Sequence, residues 1–110
     1  MKDDRLYLIH IAECIERIES YVAGKDREAF LNSTLIQDAV VSNLQTLAES
    51  TQRLSDQAKE EADEIDWFKI AGFRNVLVHD YLGLDIERVW NILETELPVL
   101  KKAIQRMLQR

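Results

Sequence analysis

Proline and glycine are scarce in this chain, with one proline and three glycines among 110 residues. Both residues interrupt helices, so their rarity predicts long helices joined by short loops. Cysteine occurs once, as Cys14, so no disulfide can form within the chain, which fits a reducing cytoplasm. Cys14 sits in an apolar helical pattern and reads as a small buried hydrophobe. Histidine occurs twice, as His10 and His79. There is no His/Cys cluster and no ligand pair at a familiar spacing, so neither a metal nor another cofactor is expected. No apolar run approaches the roughly 18 residues of a membrane span. The charged opening Met1-Lys2-Asp3-Asp4-Arg5 has no signal-like apolar stretch behind it. The expectation is a cytoplasmic protein of one domain, residues 1–110, with no membrane association.

Positive charge is also in deficit. Fourteen Lys and Arg face 20 Asp and Glu, for a net charge of −6. Broad nucleic-acid binders present a basic face to the phosphates, and this balance argues against such a face. A small basic patch on an acidic protein remains possible, and an enzyme that cuts RNA need not hold it tightly.

What is present is helical periodicity. Leu8, Ile11, Ala12, Ile15, Ile18 and Val22 recur at three-to-four spacing within residues 4–23, one apolar stripe that Gly24 can stop. Asp26 can cap a short turn holding Ala29, Phe30 and Leu31. Ser33 or Thr34 can cap a second long helix, with Ile36, Ala39, Val40, Leu44, Leu47, Ala48 and Leu54 as its stripe. Residues 55–62 read as a short helix or an exposed connection, and the acidic run Glu60-Glu61-Ala62-Asp63-Glu64 as a solvated face. Asp66 can cap a third helix running to about His79, which Leu82-Gly83-Leu84 breaks. Asp85 caps the last helix, whose stripe is Ile86, Val89, Trp90, Leu93, Leu97, Leu100, Ile104 and Met107. Pro98 lies inside it and predicts a kink near Leu97. Lys101, Lys102, Arg106 and Arg110 complement the negative end of that helix dipole. Trp67, Phe68 and Trp90 are expected in the core. No segment alternates with period two, so the chain predicts an all-α fold, an antiparallel four- to five-helix bundle.

The segment Arg74-Asn75-Val76-Leu77-Val78-His79-Asp80-Tyr81 concentrates the chemistry. His10, between Ile9 and Ile11, reads as a core or partly exposed residue, whereas His79 ends an apolar run with polar neighbours on both sides. Asn75 and His79 are four apart and share a helix face. Arg74 and His79 are five apart, roughly 140° around the axis, so they do not converge within one straight helix. They can meet if the helix end unwinds, or if two copies of the helix face each other across a two-fold axis. Histidine can take a proton from a ribose 2′-hydroxyl or give one to the leaving oxygen. Arginine matches a phosphate with paired donors and stabilises developing charge. Such a pair is common by chance, so spacing alone leaves a capping or surface role for His79 open.

The stretch Trp67-Phe68-Lys69-Ile70-Ala71-Gly72-Phe73-Arg74-Asn75-Val76-Leu77-Val78-His79-Asp80-Tyr81 resembles the signature of HepT-like proteins of the HEPN superfamily. Those proteins carry Arg-x4-His, a polar residue after the Arg and a Tyr two after the His. Gln37-Asp38-Ala39-Val40, Asn43-Leu44, Ala48-Glu49 and Arg53-Leu54-Ser55 resemble the family's second long helix. Gly83-Leu84-Asp85, Val89-Trp90 and Leu97-Pro98 resemble its last. Asp66 stands where the family often has Pro, Phe73 where many members have Met, and Ala48-Glu49-Ser50 where it has Gly-Glu-Ala. The resemblance implies a HEPN-like all-α homodimer and a metal-independent ribonuclease, the toxin of a toxin–antitoxin pair. It implies Arg74 and His79 as catalytic, with Asn75 and Glu49 in support, Glu49 orienting Arg74 across the bundle. The implied partner is a minimal nucleotidyltransferase (MNT) antitoxin that transfers AMP onto Tyr81. The alternative is a non-catalytic helical adaptor or nucleotidyltransferase-binding subunit.

Overall fold

Short polar side chains start the helices. In the computed structural model, which describes residues 2–78 and 85–109 and gives the backbone alone for Lys2 and residues 75–78, helix α1 covers Lys2–Val22. Gly24, at φ +73°, takes the left-handed conformation that ends it. Asp26 accepts the Ala29 N–H and starts the one-turn α2, Arg27–Leu31. Ser33, rather than Thr34, caps α3, Thr34–Gln52, by accepting the Ile36 N–H. Ser55 caps α4, Asp56–Glu60, the short-helix option for that segment. Asp66 accepts the Lys69 N–H at the start of α5, Trp67–Val78. Asp85 does the same for Arg88 at α6, Ile86–Asn91. The chain then passes through a π-helical turn, Ile92–Glu96, into α7, Leu97–Leu108. Among the described residues there is no strand, and the all-α bundle is what the structure shows.

The break around Pro98 differs in kind from a simple kink at Leu97. The α ladder opens one turn earlier, into the π turn, where the Leu97 N–H reaches back to the Ile92 carbonyl. Proline cannot donate to the carbonyl four residues before it, and its ring crowds that carbonyl. A widened turn ahead of it relieves the crowding.

The rods run antiparallel. Asp4, in the first turn of α1, accepts from the Ser55 amide at 2.8 Å and the Ser55 hydroxyl at 2.6 Å, past the end of α3. At the same end of α1, Arg5 donates to the Leu108 carbonyl at the end of α7. Glu19, near the other end of α1, meets Lys101. The core lies between these rods, with Ile11, Ile18, Phe30, Val40, Leu44, Leu47, Leu100 and Ala103 all fully buried. Phe30 of α2 packs on Trp90 of α6, ring centroids 5.3 Å apart. Buried Gln37 donates to the Phe30 and Leu31 carbonyls and ties α2 to α3. Cys14 is buried and burial pushes its thiol pKa up, so it carries little thiolate.

One core expectation fails. Phe68 is 90% exposed. Trp67, Ile70 and Phe73, three apart, take the inner side of α5, and Phe68 lies about 100° away from Trp67 on the outer side. Trp67 is half-buried, with its indole N–H donating to the Lys59 and Ala62 carbonyls. The acidic run is only partly a solvated face, because Ala62 is fully buried within it and Arg106 pairs with Glu64 at 2.6 Å.

Candidate functional site

Arg74 is carried by the last turns of α5, whose inner residues Ile70 and Phe73 anchor the helix in the bundle. Its guanidinium Nε lies 3.8 Å from the Glu49 carboxylate of α3. Their side chains are 53% and 56% exposed, so the pair is screened and loosely held. An exposed, loosely held guanidinium of this kind can exchange its carboxylate for a phosphate. Two of the sequence-designated residues are therefore brought together, across the α3–α5 interface. His79 and Tyr81, and the side chain of Asn75, lie outside the described residues, as does the helix break at Leu82-Gly83-Leu84.

One turn beyond Glu49 on α3 stands Arg53, the C-cap residue, exposed to solvent. Its guanidinium sits over the Tyr7 ring of α1, 6.0 Å from the centroid. His10, which is exposed, meets the same ring edge-on at 6.4 Å. Nothing in the sequence signals this contact beyond the placement of Arg53 four residues after Glu49, since Tyr7 comes from a helix distant in sequence.

The larger depressions lie elsewhere. A groove of about 400 Å³ runs between α1 and α7, lined by Ile18, Val22, Leu97 and Pro98 and bridged by Glu19 and Lys101. It is mainly apolar, and neither Arg74 nor Arg53 lines it. At the basic end of α7, Lys101 is engaged by Glu19 and Arg106 by Glu64. Among the described residues no group of three or more His, Cys, Asp or Glu is placed to hold a metal ion.

The family model described as Ribonuclease HepT-like matches residues 11–107. A protein of Methanocaldococcus jannaschii, named as a gamma-glutamylcyclotransferase and "putative RNase", is 32% identical over 108 residues, 98% of this chain and 49% of its own. The chain thus spans about half of that relative's length. A "putative RNase" of Caldanaerobacter subterraneus subsp. tengcongensis is 31% identical over 110 residues, 100% of this chain and 98% of its own. A "probable ribonuclease HepT" of Thermococcus cleftensis is 32% identical over 101 residues, 92% of each chain. No solved structure matches the chain.

Proposed function

The chain belongs to the ribonuclease HepT-like family, and from that premise we propose that it is a metal-independent endoribonuclease, the toxin of a toxin–antitoxin pair, acting as a homodimer through Arg74 and His79. The observation that carries this reading is the extent of the match, residues 11–107, which takes in Glu49, Arg74, Asn75, His79 and Tyr81.

His79 removes the proton of a ribose 2′-hydroxyl, and the 2′-oxygen attacks the adjacent phosphorus. The bond to the 5′-oxygen breaks, and that oxygen leaves with a proton from an imidazolium. Arg74 stabilises the charge that builds on the phosphoryl oxygens. Asn75, one helical turn before His79, orients the imidazole, and Glu49 keeps Arg74 aimed until substrate arrives. Arg74 and His79 diverge by about 140° on one straight helix, which favours a site completed by a second copy. Phe68, bare on the outer side of α5, is an apolar side chain suited to that contact. The antitoxin is a minimal nucleotidyltransferase that adds AMP to Tyr81, where a bulky anion two residues from His79 blocks the cleft and repels RNA phosphate.

In the presence of a chelator, unmodified protein is expected to cleave single-stranded RNA. Arg74→Ala is expected to lower kcat by about 10²–10³, and His79→Ala to abolish cleavage while the helical circular dichroism is retained. If unmodified wild type leaves cellular RNA intact, the ribonuclease reading fails and the chain is a helical adaptor.

A further inference from the structure

We infer that Arg53, stacked on Tyr7, is a phosphate-binding subsite that receives single-stranded RNA beside Arg74, an inference that rests on the ribonuclease reading for its choice of ligand. Arg53 follows Glu49 by one turn of α3, about 6 Å along the axis, and Glu49 touches Arg74. Residues four apart share a helix face, so Arg53 projects from the face of α3 on which Glu49 meets Arg74.

The way Arg53 is held supports the assignment. Arg27, Lys69, Arg74, Lys101 and Arg106 each meet a carboxylate. Several other cations, Arg53 with them, have no carboxylate partner among the described residues, and Arg53 is set apart by the aromatic ring that its guanidinium meets. A guanidinium held over a ring keeps its edge donors free for a phosphate. Tyr7 is the positioning residue, and His10 braces its ring from the edge. On a chain of net charge −6, an exposed guanidinium one helical turn from the Glu49–Arg74 pair also gives RNA a local place to land.

The test is fluorescence anisotropy of a labelled single-stranded RNA oligonucleotide across a salt series, together with steady-state cleavage. Arg53→Gln is expected to raise Kd and KM about tenfold, with kcat changed by less than about twofold, and to reduce the slope of log Kd against log salt by about one. Arg53→Lys is expected to restore the slope but only part of the affinity. Tyr7→Leu is expected to weaken binding in the same direction. A folded Arg53→Gln protein that matches wild type in Kd, KM and slope overturns the inference even if wild type cleaves RNA. Arg53-dependent binding by a wild type that cleaves nothing supports the subsite and removes the ribonuclease reading alone. A wild type that neither binds nor cleaves removes both.

Discussion

Asp4 is the only carboxylate buried among the described residues, and its position explains why it can stay charged. Burial alone raises a carboxyl pKa, but the Ser55 hydroxyl and amide both donate to the ionised form, and together they bring it below the usual carboxylate value. A folded-state pKa below the unfolded one stabilises the fold above the unfolded value, 3.8, and that stability is lost as pH falls through the lower folded value. Asp4→Asn is expected to cost about 1–2 kcal/mol at neutral pH, and the gap from wild type to close as pH drops below the ordinary carboxylate range. Urea titrations at pH 7 and pH 3 measure both, and a gap that is equal at the two pH values contradicts this account. Single residues were unevenly legible in the sequence. The burial of Cys14 followed from its apolar neighbours, while nothing marked Asp4 for burial, because its partner is 51 residues away. Phe68 was misread for a related reason: hydrophobicity marks a residue as apolar, and only the phase of its helix decides which way it faces.

Elements were more legible than residues. Asp26, Ser33, Ser55, Asp66 and Asp85 each cap the helix that follows, because a short side-chain oxygen satisfies an orphan N–H wherever it occurs. The π turn was not legible, since proline predicts a disturbance without fixing its form. Its consequence for packing is that α6 turns its buried side to Phe30 of α2, while α7 turns its own to α1. A π turn holds about one residue more than the α path between the same two points. Deleting exposed Thr95 together with Pro98→Ala is therefore expected to leave both buried faces in register. Deleting Lys102 instead shifts Ala103, Ile104 and Met107 by about 100°. Thermal unfolding should separate the two by many degrees, and equal losses would rule this reading of the turn out.

At the scale of the whole molecule, the all-α bundle was readable from few breakers and unbroken periodicity, and the Arg74–Glu49 pairing was anticipated only through family resemblance. Spacing cannot show that α3 and α5 lie side by side, because that depends on packing between segments 25 residues apart. The proposed regulation also belongs to this scale, because it needs a second protein. Co-expression with a minimal nucleotidyltransferase antitoxin is expected to add whole AMP units to the intact mass, and Tyr81→Phe to abolish the addition. An unchanged mass removes Tyr81 from the proposal. The Asp4–Ser55 contact finally sets an order on synthesis. A ribosome must release half of this chain before the first turn of α1 meets its partner, so the apolar stripe of that helix waits uncovered until α3 is complete. The nascent protein is most exposed to misassociation in that interval.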